Sequence, residues 1–274
     1  MSLLRPPVRA ERRPRRQPGR RLMQPPGTMP ALSTARTVAA LSATTVAVLA
    51  IPLTALGRVL DLWGPMPAML YAFVATGLAA LIATVLGLWG ILRRRGAPWR
   101  TFQSTGSLAA LVVGLAVLVP VAQTVHHALV YPPIHDISTD LEEPPQFVAL
   151  ETVRTAAGAP NSTAYDPASA PLQRAAYPDL GPRILPMATD AAFAKALAAA
   201  HAMGWKIAAT DAAQGRIEAS ATTFWSGYVD DVAIRLRPVG DGTTRLDVRS
   251  LSRMGVSDLG KNAARIRAYL DKLD

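Results

Sequence analysis

The sequence predicts an α-helical membrane anchor followed by an α+β domain, a two-layer fold in which two helices cover one face of a four-stranded antiparallel meander. Three observations predict it. Three long runs in the first half, Val38 to Gly57, Pro67 to Leu92 and Gly106 to Tyr131, contain no Asp, Glu, Lys or Arg. Residues 205–252 alternate apolar and polar in four stretches separated by turn residues. Apolar residues recur at helical spacing on either side of those stretches.

The three runs come first. A bilayer core about 30 Å thick takes about 20 residues of helix at 1.5 Å each, and each run is long enough. Pro120 is expected to kink the third. Trp63, Trp89, Trp99 and Tyr131 fall near the ends of the runs, where amphipathic rings favour the headgroup region. Gly106, Ala110 and Gly114, and likewise Ala79, Ala83 and Gly87, recur every four residues. Small residues at that spacing let helices approach closely, inside the anchor or across a dimer contact. No run carries an ionisable residue at its middle, which weighs against a pump, channel or proton relay. His126 and His127 are expected at the interface.

Charge orients the anchor. Residues 1–131 hold 14 Lys and Arg against 2 Asp and Glu, whereas residues 132–274 hold 15 against 17. The net charge of +10 therefore belongs to the membrane-flanking half, and nothing in the near-neutral second half calls for a nucleic-acid partner. Residues 1–36 read as a disordered basic tail, with Arg12, Arg13, Arg15, Arg16, Arg20 and Arg21 in one run broken by Pro14 and Pro18. Met23 and Met29 offer alternative starts. Arg93, Arg94, Arg95 and Arg100 follow the second span; Arg58 and Asp61 alone lie between the first two. Cytoplasmic loops hold the excess of Lys and Arg. The expected protein thus crosses a bacterial inner membrane three times, residues 37–131 forming the anchor, with a cytoplasmic N-terminus and a periplasmic or otherwise extracytoplasmic C-terminal domain. Cleavage after the first run, at Ala55-Leu56-Gly57, is the alternative, and leaves the domain on the same side.

Residues 132–187 read as an irregular, Pro-rich linker and domain start, with one short strand at Phe147 to Val153 and a loop from Ala156 to Ser169. Residues 188–274 carry the domain proper. Thr189 caps a helix that Gly204 ends. Strands follow at about 205–211, 215–224, 228–238 and 243–252, the last two joined at Gly240-Asp241-Gly242. Ile207, Ala209, Ile217, Ala219, Ala221, Val232, Ile234, Leu236, Leu246 and Val248 point one way. Lys206, Glu218, Ser220, Thr222, Asp231, Arg235, Arg237, Arg245, Asp247 and Arg249 point the other, as a grid of mixed charge. A last helix runs from about Asp258 to Leu273, capped by Ser257, with Leu259, Ala263, Ile266, Leu270 and Leu273 as its apolar stripe.

Several segments resemble an uncharacterised bacterial envelope family, domain of unknown function 1499. They are Ile134–Asp140, Pro144–Phe147, Tyr177–Asp179, Gly204-Trp205, Arg216–Ala219, Asp230–Arg235 and, longest, Asp247–Ile266. The resemblance covers about half the chain and nearly all of its polar part. It implies a named domain and no activity.

Chemistry is expected where a strand ends and a helix opens. Free backbone N–H groups and the positive end of the helix dipole favour an anion there. The candidate binding residues are Arg249, Ser250, Ser252, Arg253, Ser257, Asp258, Asn262, Arg265, Asp230, Asp231 and Arg235. Arg253 and Arg265 either hold an anionic envelope component or pair with Asp230, Asp231 or Asp258. Asp230 and Asp231, adjacent on a strand, point to opposite faces and cannot converge on one substrate. No catalytic residues are assigned. The chain has no cysteine, its four His lack metal-ligand spacing, and no dinucleotide or phosphate-loop motif occurs, so neither metal nor cofactor is expected. The expected function is a non-enzymatic binding module whose partners are the bilayer and an envelope component or envelope protein. A carboxylate-dependent envelope hydrolase and a structural subunit of a membrane complex are the alternatives.

Overall fold

The structure, a computed structural model, describes residues 29–60, 62–63, 65–93, 98, 101–223, 226–240 and 242–274. Residues 1–28 of the basic tail, Asp61, Arg94, Arg95, Trp99, Arg100 and Asp241 lie outside the described residues, and residues 29–36, expected to be disordered, are instead the helical start of α1. Three long helices, α1 (Met29–Val59), α2 (Pro65–Leu92) and α3 (Phe102–Val130), are long and apolar enough to cross a membrane. Their outward side chains, among them Val48, Leu53, Leu78, Val112 and Leu129, are exposed apolar groups of the kind lipid solvates. The small residues face inward. A Cβ on Gly114 would lie 2.6 Å from Thr84 Oγ1 and 2.9 Å from its backbone nitrogen. One on Gly87 would lie 2.6 Å from Leu111 N. One on Gly106 would lie 2.6 Å from Thr37 Cγ2. The repeats predicted at these positions therefore serve contacts inside the anchor.

The rest of the chain forms an antiparallel sheet of six strands, two more than the sequence reading. Its strands are β1 (Asp136–Ser138), β2 (Arg183–Leu185), β3 (Lys206–Asp211), β4 (Arg216–Thr222), β5 (Val229–Gly240) and β6 (Thr243–Ser252). The order is β1-β6-β5-β4-β3, and β2 shares the β6 edge with β1. The two missed strands have three residues each, too few to display a period of two. Helices α6 (Thr189–Ala202) and α7 (Lys261–Leu270), with a 3-10 turn at Asp271–Leu273, cover the apolar face as expected. Between them Val232, Ile234, Leu246, Val248 and Ile266 are fully buried. Each such side chain contributes about 1.5–3 kcal/mol through lost apolar hydration. Trp205 stacks on Tyr269 at 5.0 Å, and the Tyr269 hydroxyl donates to Ala196 O at 3.0 Å.

Three local expectations are corrected. Residues 147–153 are no strand; Ala149–Ala156 form helix α4, and Ser169–Ala176 form α5, in a segment the sequence reading left irregular. In β3 a bulge between Ile207 and Ala209 reverses the parity, so Ala209 sits opposite Glu218 and shares its face rather than that of Ile207. Ala188, not Thr189, occupies the cap position of α6, and the Thr189 hydroxyl instead meets that of Thr244 at 3.3 Å.

The anchor and the sheet meet at one end. Tyr131 follows α3 directly and lays its ring over Gly260, where a Cβ would lie 3.0 Å from the ring. Its ring is also 6.4 Å from that of Tyr177. The Ser257 hydroxyl donates to Pro132 O at 3.3 Å. The Arg58 guanidinium, at the end of α1, lies where a Cβ on Gly227 would be. Residues 226–228 and the 253–260 segment are thus at the end of the sheet nearest the bundle. The β5–β6 hairpin lies at the opposite end of a 12-residue strand, about 40 Å away at 3.3 Å per residue.

Candidate functional site

The sheet's second face carries the predicted charges, but it is not an open charged surface. The chain from Thr139 to Tyr165 folds across part of it, and Phe147 and Leu150 pack there on Ala233 and Leu251. Beneath this cover, each guanidinium meets a carboxylate. Asp231 is fully buried and receives Arg154 at 2.7 Å, Arg253 at 2.9 Å and the Ser220 hydroxyl at 2.6 Å. Burial lowers the Arg154 pKa, against the pull of Asp231. Arg249, also fully buried, makes a bidentate pair with Asp136 at 2.7 and 2.9 Å and donates to Pro145 O and Thr163 O. The rings of Phe147 and Tyr165 flank its guanidinium at 5.0 and 5.5 Å. Asp136 and Arg154 complete these pairs from the segment that sequence patterning left irregular. No local signal marks them, because their partners are 113 and 77 residues away.

Glu218 holds α4 in place. Its carboxylate accepts from the backbone N–H groups of Val148, Ala149 and Leu150 at 2.9–3.1 Å, at the positive end of the helix dipole. Glu218 is fully buried, so Glu218→Ala leaves three backbone donors, that of Leu150 among them buried, without an acceptor. The expected cost is about 3 kcal/mol, read as a lower denaturation midpoint of the detergent-solubilised chain.

A second group lies toward the β5–β6 hairpin. Arg237 and Arg245 stand directly opposite each other across the strands, a repulsive placement unless anions bridge it. Asp140 and Asp247 do so. Asp140 Oδ2 accepts from Arg245 at 2.7 Å, Arg235 at 2.9 Å and Arg237 at 3.3 Å; Asp247 binds the same three. Arg235 therefore belongs here, away from the other candidates. An open cavity of about 750 Å³ lies beside Asp140, Arg174, Arg237 and Arg245. Burial raises the Asp140 pKa, but the N–H groups of Glu143 and Glu142 and the guanidiniums of Arg245 and Arg235 outweigh it and hold it below 3.8. A carboxylate with a depressed folded-state pKa contributes stability above its unfolded pKa and loses it as pH falls through the folded value. Asp140→Asn is expected to weaken the protein at neutral pH and to flatten the acid loss of stability below about pH 4, read from melting temperatures across pH.

The predicted strand-to-helix segment closes the bundle end of the sheet. Helix α7 begins at Lys261, later than expected, after Gly260 in the left-handed region at φ 80°. Ser257 does not cap it. The Asp258 carboxylate does, accepting from Gly260 N and Asn262 N at 2.8 Å each. The anion position that the helix end offers is real, and the chain's own Asp258 fills it. Leu259 adopts φ 55°, the one non-glycine positive φ among the described residues. Arg265 pairs with Asp230 and donates to Ser250 and Asn262. Asn262 in turn donates to His135 O and the Ser252 hydroxyl. Both guanidiniums considered for an anion, Arg253 and Arg265, are thus engaged by carboxylates on opposite faces.

In front of this segment lies a cavity of about 350 Å³. Asp230, Ser252, Ser257 and Asp258 line it among the predicted residues. Ser250, Asn262 and Arg265 brace Asp230 and Ser252. Arg249, Arg253 and Asp231 belong to the other face. Sequence reasoning missed Tyr228, Met254 and Leu259 in the wall. Burial pushes the Asp258 pKa above 3.8; the N–H groups of Asn262 and Gly260 work against that, and the nearby Asp230 adds to it. Burial also raises that of Tyr228.

A family model described as protein of unknown function (DUF1499) matches residues 136–273, from the first residue of β1 to the last of the 3-10 turn. No curated protein and no solved structure matches the chain.

Proposed function

The chain belongs to DUF1499, a protein family of unknown function, and we propose that this member is a membrane-anchored binding module of the bacterial envelope. In this reading the N-terminus and the α2–α3 connection lie in the cytoplasm. The sheet domain stands on the outer side of the inner membrane and binds its ligand at the bundle end. The observation that carries the reading is the use of charge. The guanidiniums of the second face are matched by carboxylates, which makes that layer internal structure, while the cavity beside Asp258 opens where the domain meets the anchor. Lys and Arg bias supports the orientation.

The absence of cysteine from the chain provides a clean test. Lys272 and Pro98 are both exposed. In intact cells, a membrane-impermeant maleimide is expected to label Lys272→Cys, and to label Pro98→Cys only after permeabilisation. The reverse pattern would place the domain in the cytoplasm and end the envelope reading. A carboxylate-dependent hydrolase is the second reading, favoured by one observation: Asp230 and Asp258 share a cavity. Turnover of envelope glycan or lipid that Asp258→Asn abolishes would favour it.

A further inference from the structure

We propose that the cavity between Thr223 and Tyr228 on one side and the 253–261 segment on the other is a binding site for a membrane amphiphile with a primary ammonium headgroup. The inference rests on the binding-module reading and names the chemistry of its ligand.

Position comes first. The two segments that form the cavity are the two that touch the anchor. Gly227 lies against Arg58 at the end of α1, Ser257 bonds to Pro132, and Gly260 lies under Tyr131 at the end of α3. These anchor residues end helices of membrane-spanning length, so the cavity sits at headgroup level. A ligand that partitions into the bilayer reaches it by lateral diffusion.

The lining then selects an amphiphile. Most of the wall is apolar, from Met254, Val256 and Leu259. Val256 is 78% exposed, on a segment facing the anchor's end rather than the sheet's core. Beside that wall stand two nearly buried carboxyls, Asp230 and Asp258, with the Ser252 hydroxyl. An apolar wall beside a polar patch fits a molecule with a hydrocarbon stem and a small polar head.

The two carboxyls, which share the lining with Lys261, select the head by its donors rather than by its net charge. Asp230 is matched by Arg265, and Asp258 is held by two backbone N–H groups at the start of α7. A carboxylate has about four acceptor positions, so neither is saturated by these bonds. An ammonium with three N–H donors meets both carboxyls and the hydroxyl together, in charge-assisted bonds. A trimethylated head has the charge without the donors, and a glycerol head has hydroxyl donors without the charge. A γ-branched residue such as Leu259 at φ 55° is strained by about 1 kcal/mol or more. Here the Asp258 bridge to Gly260 and Asn262 and the Tyr131 ring over Gly260 hold it, with its side chain in the cavity wall.

The test uses the full-length chain in detergent micelles, so its outcome does not depend on which side of the membrane the domain occupies; the labelling experiment above decides that separately. Phosphatidylethanolamine, phosphatidylcholine and phosphatidylglycerol of identical acyl chains are offered in equal amounts, and bound lipid is counted by native mass spectrometry. The expected result is one retained ethanolamine lipid, favoured about tenfold over the other two, which is about 1.4 kcal/mol. Asp258→Asn is expected to remove the preference. Val256→Trp alters an exposed side chain outside the core and is expected to lower retention of the ethanolamine lipid with the fold intact. Competition by free O-phosphoethanolamine at millimolar levels would point to a soluble amine as the occupant and overturn the lipid assignment. Equal retention of the three lipids, or an unchanged preference in both variants, would overturn the proposal.

Discussion

Asp231→Ala is expected to lower the stability of the folded chain by about 3–5 kcal/mol, because it removes one side of a buried charge group and strands the other. The Asp231 side chain is fully buried and that of Arg154 is 3% exposed. Without the carboxylate, the buried Arg154 and the largely buried Arg253 face each other with no anion between them. A domain stability of about 5–15 kcal/mol loses about a fifth or more. Chemical denaturation of the solubilised protein, followed by tryptophan fluorescence, measures it. Asp179→Ala is the control: its pair with Arg267 is about half exposed, and its loss should stay below about 1 kcal/mol. Replacing Asp231, Arg154 and Arg253 together by leucine should recover much of the loss, since charge without a partner is the cause. An Asp231→Ala protein as stable as Asp179→Ala would show that the second face is wetter than the structure has it.

The second large effect is expected in the anchor. Gly114→Leu places a side chain against the backbone of α2 at Thr84 and Ala80, atoms that cannot rotate away. Helices α2 and α3 must then separate, at a cost of about 3 kcal/mol or more from overpacking and lost contacts. Val112→Leu, on the lipid-facing side of the same helix, enlarges a residue already 57% exposed and should be neutral. The amount of folded protein recovered from membranes separates the two. Equal recovery would mean that α2 and α3 do not cross at Gly114.

The parts of the fold legible in the sequence were those with a repeating period. β4, β5 and β6 have 7, 12 and 10 residues, long enough for alternation to place Val232, Ile234 and Leu236 on one face and Asp231 and Arg235 on the other. The anchor was legible because lipid demands long uncharged runs. What remained hidden depended on distant partners. The stretch Phe147 to Val153 has the apolar spacing of a strand, yet it is a helix start because Glu218, about 70 residues away, supplies the acceptors for its first N–H groups. The partnership of Arg249 with Asp136 spans 113 residues and has no local trace. At the candidate site, the segment Arg249–Arg265 was found by composition. Its chemistry was not, because Ser257 and Asp258 are both good caps by residue type, and only the glycine turn at Gly260 decides that Asp258 meets the helix.

The account depends on the 253–261 end of the sheet resting at the membrane, with the β5–β6 hairpin held away from it. Spin labels at Val256→Cys and Val239→Cys, both exposed positions at opposite ends of the sheet, test this in reconstituted vesicles. Power saturation compares their accessibility to oxygen, which concentrates in lipid, with that to a water-soluble nickel chelate. The Val256 label is expected to favour oxygen, and the Val239 label to favour the chelate. Two labels with the same water-like accessibility would contradict the placement of the cavity at the bilayer, and with it the proposed site.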